Sequence, residues 1–222
     1  MPGRAAKAAS VLMAMALHSY VVRYDSGFAP NPFYGYCTLA TCKPKIRSAA
    51  QIGDWIVGSG SKSAHSSQAG RLVYAMRVEE ALSWDQYSVD ARFQIKQPFR
   101  RGSRKQSCGD SIYFRTTPDD PWQQRDSFHS RENGELDPAH VKRDTGVDRV
   151  LISQRFIYFG GDGPMLPNFM DNLGRSLCKV GIGHTKFNDP QLIAAFTTWI
   201  NGLDAWGYQS VPFEWLTLRG KK

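Results

Sequence analysis

Residues 20–60 read YVVRYDSGFAPNPFYGYCTLATCKPKIRSAAQIGDWIVGSG, and the folding of this stretch decides the rest of the chain. It begins in a strand-like run, residues 19–24, where Tyr20, Val22 and Tyr24 alternate with Val21 and Arg23. It closes on the Gly53-Asp54 turn, which feeds a second apolar run at residues 55–59. Between the two lies an irregular loop, residues 25–45, punctuated by Gly and Pro. A loop of about 20 residues without regular structure is uncommon in a compact domain, and is usually functional or disordered. This one carries Phe28, Phe33, Tyr34, Tyr36, Cys37, Leu39 and Cys42, so it reads as a packed, site-forming loop.

Outward from this stretch the pattern stays β-dominated. Residues 71–80 alternate through Leu72, Tyr74, Met76 and Val78, and are expected to pair antiparallel with residues 55–59 across a small, polar connection. Ser83 and Gln86 match a capping box, which predicts a short helix to about residue 93. Residues 111–114 and 148–159 read as further strands. Asp189 and Pro190 open a helix in which Leu192, Ile193, Phe196, Trp199, Ile200 and Leu203 repeat at helical spacing, a stripe for the core. Residues 116–146 are polar, broken by Pro and Gly, and dotted with Trp122, Phe128 and His129; they are expected to form a surface insertion over the site. The expected fold is α+β and mainly β: a small bent sheet or β-barrel with peripheral helices and a C-terminal amphipathic helix. Residues 1–17 read as an N-terminal extension and 18–222 as one domain.

Hydrophobic residues make up 41% of the 222, enough for a core. The 28 basic against 20 acidic residues leave a net charge of +8, which suits a polyanionic partner without demanding one. The run KQPFRRGSRK at residues 96–105 brings Arg100, Arg101, Arg104 and Lys105 together without an acid. It can track a phosphate backbone; the plainer reading is a solvated loop. The pair Cys37 and Cys42 is not followed by a second close pair, so neither a metal nor a cofactor is expected. The cysteines read as reduced thiols of a cytoplasmic protein. Arg4 and Lys7 before the apolar residues 8–17 outline a secretory signal, but cleavage would fall almost inside the first strand. That run is too short to span a bilayer, and no membrane segment is expected.

Phosphate-binding, dinucleotide-binding, zinc-protease and esterase motifs are all missing from the sequence. A nucleobase asks a pocket for a flat face to stack on and for polar groups that pair with its edge. Phe28, Phe33, Tyr34, Tyr36 and Trp55 can supply the first, Asp25 and Asn31 the second, and Ser59, Ser61 and Lys62 can hold a phosphate. The blander reading makes the rings ordinary core and the polar pair turn formers. An enzyme would use Asp25 as acid or base, or a thiol, Cys37 or Cys42, beside His129 or His184. No local signature selects among them.

The segments RYDSGFAPNPFYGYCTLATCKPKIR, GDWIVGSGSK, GRLVYAMRVEE and DRVLIS resemble a bacterial family, the second of the nucleotide-modification-associated domains, over residues 19–212. The resemblance implies an association with DNA-base modification and phage-conflict systems. Gly53-Asp54-Trp55 and Gly70-Arg71-Leu72 are also distantly similar to a strand pair of the PUA-like superfamily, with its EVE, ASCH and YTH groups. That similarity implies a small β-barrel whose pocket receives a modified base. Carried over by position, the pocket would use Arg23, Asp25, Asn31, Phe33, Cys37, Lys43 and Trp55, with Ser59 and Lys62 at the rim. The insertion at 116–146 and the C-terminal helix depart from that pattern. The leading expectation is recognition of a modified nucleotide or modified DNA base. The alternative is an enzyme on a nucleotide or nucleobase that uses Asp25 or Cys37, and a third is a scaffold for a partner modification enzyme. Oligomeric state is left open.

Overall fold

The computed structural model describes residues 15–61 and 68–217. Lys62 and residues 1–14 of the expected N-terminal extension lie outside the described residues. The strands are β1 (Leu17–Val22), β2 (Cys37–Leu39), β3 (Trp55–Gly60), β4 (Leu72–Arg77), β5 (Glu80–Leu82), β6 (Tyr113–Phe114), β7 (Gln123–Gln124), β8 (Val150–Ser153), β9 (Phe156–Tyr158), β10 (His184–Phe187) and β11 (Gly207–Tyr208). The helices are α1 (Pro44–Ala49), α2 (Trp84–Val89), α3 (Arg104–Ser107), α4 (Pro138–Thr145), α5 (Pro190–Gly202) and α6 (Phe213–Thr217), with a 3₁₀ helix at Ala91–Lys96.

A six-stranded mixed sheet in the order β10-β1-β3-β4-β9-β11 forms the frame. β1 runs parallel to β3, while β3 and β4 pair antiparallel as the sequence suggests. The parallel pairing explains the long segment after β1. Parallel neighbours cannot be joined by a tight turn and need a crossover. The crossover is not irregular throughout: it contains β2 and α1, and β2 joins a second sheet of order β2-β8-β5.

The large sheet is open, with β10 and β11 at its edges, so the expected barrel does not form. The reason is coverage of both faces. On one face Leu192, Ile193, Phe196 and Ile200 of α5 pack onto Leu17, Trp55, Val57, Leu72, Ala75 and Ile157. On the other, Tyr20, Ile56, Tyr74, Met76 and Phe156 meet Cys37, Leu39, Ile46 and Leu151 from the crossover and the second sheet. A sheet buried on both sides has nothing to gain by curling shut, and its strands read as continuous apolar runs. α5 starts where Asp189 accepts from Gln191 N at 2.9 Å and Leu192 N at 3.3 Å, with Pro190 in its first turn. Trp55 belongs to this helix-side core, 1% exposed and edge-on to Phe196 at 5.6 Å.

Candidate functional site

The crossover turns sharply between β2 and α1. Cys42 and Lys43 both hold left-handed backbone, at φ 57° and 42°, immediately before Pro44 starts the helix. Side chains other than glycine cost roughly 1–2 kcal/mol in that region, so the surroundings must impose it. The fully buried Arg47 does so. Its Nε donates to Cys42 O at 2.9 Å, and its terminal nitrogens donate to Val147 O, Arg149 O and Asp144 O at 2.8, 2.8 and 2.6 Å. Cys42 N donates to Asp144 Oδ1 at 3.1 Å. A strand, a strained turn and a helix thus carry one thiol outward, the device that lifts a nucleophile clear of its sheet in the hydrolase elbow.

The thiol has a partner. His129 Nδ1–H donates to Asp144 Oδ2 at 2.7 Å, which leaves Nε2 as acceptor, 3.4 Å from Cys42 Sγ. Asp144 also accepts from Tyr113 OH at 3.1 Å and Arg143 Nε at 3.1 Å. Burial alone would raise this carboxyl, but bonding and charge from His129 and Arg143 outweigh it and bring it to about 2. Burial, and then the charge of Asp144, push the Cys42 thiol up, while Arg143 and Lys43 pull it down. Burial lowers His129 against the pull of Asp144. At rest the group is therefore a neutral thiol facing a neutral imidazole, with Asp144 ionised behind it.

This line opens on a cavity of about 530 Å³, within the range that holds a small ligand. Arg23, Lys43 and Arg143 bring positive charge to its wall, and Tyr24, Phe28 and Phe128 bring rings. Lys43 Nζ sits 4.5 Å from the centre of the Tyr20 ring, and the Phe28 ring meets His129 edge-on at 4.7 Å. Glu214 is the acid on the wall. Phe128, His129 and Arg143 all come from residues 116–146, the segment expected to lie over the site.

Of the site candidates named from sequence, Arg23, Phe28, Cys42, Lys43 and His129 line this cavity. Asp25 does not: 2% exposed, its carboxylate accepts from Tyr158 OH at 2.5 Å and Phe213 N at 3.2 Å, and burial raises it to about 6. Asn31 is buried, with Nδ2 donating to Cys108 O at 2.8 Å and Oδ1 accepting from Lys96 Nζ at 2.6 Å. Cys37 is sealed inside β2, where burial pushes its thiol far up and keeps it protonated. Ser59 is buried and turned to Tyr20 O at 3.5 Å. Phe33 lines a different cavity together with Lys105. Arg100 lies 4.5 Å over the Phe128 ring, Arg104 donates to Trp215 O at 3.2 Å, and Arg101 is exposed.

The sequence offers Cys42 beside His129 as one of four cysteine–histidine pairings and selects none of them, because 87 residues separate the pair. Sequence reasoning missed Asp144, Arg143 and Arg47 altogether. One usable signal was Pro44: proline favours the first helical turn, which places Cys42 and Lys43 at a chain reversal.

Among the described residues no helix is long and apolar enough to cross a membrane, and no three His, Cys, Asp or Glu side chains gather to hold a metal. The family model described as nucleotide modification associated domain 2 matches residues 14–219. Neither a curated protein nor a solved structure matches the chain.

Proposed function

The chain belongs to the nucleotide modification associated domain 2 family, and on that premise we propose that it is an enzyme that acts on a nucleotide or nucleobase through the thiol of Cys42. One observation carries the reading: the line Cys42–His129–Asp144 ends in a cavity with three cationic side chains on its wall. Nucleophile, base and orienting carboxylate are the parts that thiol catalysis needs. Arg23, Lys43 and Arg143 suit a phosphate; Tyr24, Phe28 and Phe128 suit a flat ring. As Sγ attacks an electrophilic carbon, its proton passes to His129 Nε2 and an S–C bond forms. Asp144 stabilises the resulting imidazolium, which then protonates the departing group. Water or a second nucleophile displaces the sulfur, gives up its own proton to Nε2, and regenerates the thiol, so hydrolysis and transfer share the first half. Base recognition becomes the binding half of this reading, and it requires no PUA-like barrel.

Alkylation of each cysteine by iodoacetamide, read by peptide mass spectrometry, tests it. His129→Ala should slow alkylation of Cys42 about tenfold near neutral pH, with Cys178 as the internal standard. Nucleoside monophosphates should protect Cys42 in the wild type. A Cys42 rate indifferent both to the imidazole and to every nucleotide offered sinks the proposal.

A further inference from the structure

A second cavity, about 330 Å³, lies on another side of the crossover and is lined by Phe33, Tyr34, Lys105, Gln154, Trp206 and Tyr208, among others. No acidic side chain is on its wall among the described residues. Its rings are already ordered by other rings. Tyr208 stacks on the buried Tyr158 at 5.7 Å and 9°, and Phe33 stacks on Trp215 at 5.6 Å and 20°. Lys105 Nζ stands 4.9 Å from the centre of Tyr208 and 5.8 Å from that of Phe33. Tyr34 is held at φ 62°, a conformation that costs a bulky side chain energy, beside Gly35 at φ 80°.

The basic run connects this cavity to the one at Cys42. Arg100 covers Phe128, which lines the Cys42 cavity. Arg104 lies 5.8 Å from the Trp215 ring that backs Phe33, and Lys105 enters the aromatic cavity itself. The acids nearby are Asp126, 3.9 Å from Arg100, Glu214 in the Cys42 cavity, and the buried Asp25, bonded to the Tyr158 on which Tyr208 stacks. Among the described residues neither Arg101 nor Lys105 is ion-paired.

We infer that the ligand is a single strand of nucleic acid: its bases stack in the aromatic cavity, its phosphates follow Arg100, Arg101, Arg104 and Lys105, and one nucleotide of the same strand enters the cavity at Cys42. The chemistry of recognition is the combination of stacking rings with a cationic track, which grips a flexible strand whatever its sequence. A duplex keeps its bases stacked on one another, so their faces are closed to the protein's rings. The inference deepens the function proposed above, since it makes the substrate a residue within a chain, and it rests on that reading for the chemistry alone.

Fluorescence anisotropy with a labelled twelve-nucleotide thymidine strand tests it. The wild type should bind the strand at least tenfold more tightly than the corresponding duplex, and affinity should fall steeply with salt. Lys105→Glu and Tyr208→Ala should each weaken the strand about tenfold or more. Tyr34→Gly removes a ring while relieving backbone strain, so it keeps the test alive if Tyr208→Ala fails to fold; it should also weaken the strand. Strand affinity no better than duplex affinity, or folded variants that bind as the wild type does, would overturn the inference. Strand affinity and nucleotide protection of Cys42 are separate readouts on wild-type protein. Protection without strand binding defeats this inference alone, and strand binding without a reactive Cys42 defeats the enzymatic reading alone.

Discussion

Asp110 and Asp144 are both fully buried carboxylates that hold the crossover, yet their surroundings end differently. Asp110 accepts from Thr38 Oγ1 at 2.6 Å and Tyr87 OH at 2.7 Å. Beside it the Lys96 ammonium donates to Asn31 O, Asn31 Oδ1 and Tyr36 O at 3.1, 2.6 and 3.0 Å. Burial raises Asp110 and lowers Lys96 to about 8, with each charge resisting the shift of the other. Donors and acceptors answer one another there, and a bound molecule has nowhere to sit. The Asp144 cluster has equally good geometry but stops at a thiol and an imidazole that face a cavity. A closed polar cluster specifies shape; the same kind of cluster left open on one side can do chemistry.

The largest effect should come from breaking the closed cluster. Lys96→Met strands Asp110 without its counter-charge and leaves the acceptors Asn31 Oδ1 and Tyr36 O short of a donor. Removing one partner from a buried charged pair costs about 3–5 kcal/mol, a large share of the roughly 5–15 kcal/mol that holds a domain together. The midpoint of urea unfolding reads this directly. A loss below about 1 kcal/mol would mean that water reaches the ammonium and that the cluster is not closed.

The open cluster should behave oppositely. Cys42→Gly removes the proposed nucleophile but also relieves the left-handed backbone at φ 57°, a gain of roughly 1 kcal/mol. Against it stand the lost contact with His129 and the greater freedom of glycine in the unfolded chain, about 0.5–1 kcal/mol. Net stability should stay within about 1 kcal/mol of the wild type, by the same urea titration, while thiol-dependent turnover disappears. A loss of 3 kcal/mol or more, comparable to breaking a buried charged pair, would make Cys42 a packing residue and erase the contrast.

This contrast also explains what was legible beforehand. The α5 stripe, the Asp189 cap, the β3–β4 pair and the strands at 148–159 rest on local periodicity, which a sequence carries on its face. The barrel was expected because nothing local reveals that β1 lies parallel to β3, or that the crossover contributes a second layer. For the site, residue type found two of the cavity's three cations, Arg23 and Lys43, but assigned Asp25, Asn31 and Trp55 to binding when their polar groups or rings are occupied inside the protein. Aromatic and amide side chains in a loop look alike whether they face a ligand or each other. Joining Cys42 to His129 and Asp144 requires the fold, because those contacts span 87 and 102 residues of chain.

Asp25 supplies the sharpest test, because it was the acid singled out from sequence and sits among closed contacts. Burial is the main cause that raises it to about 6 from an ordinary 3.8, against the opposing pull of Tyr158 OH and backbone N–H groups. The folded state therefore holds its proton more tightly than the unfolded chain. That contribution to stability is fully present below pH 3.8 and is lost as pH rises through about 6. His129, lowered by burial, gives a slope of the opposite sign below its ordinary value, but it does so equally in wild type and variant and cancels between them. The stability of the wild type minus that of Asp25→Asn should thus fall by roughly 1–3 kcal/mol between pH 4 and pH 7, whatever constant offset the amide introduces. Urea titrations at pH 4, 5, 6 and 7 give the difference curve. A flat curve would mean that Asp25 ionises as it would in water, which would reopen it as an acid or base available to a ligand and move it from the closed class to the open one.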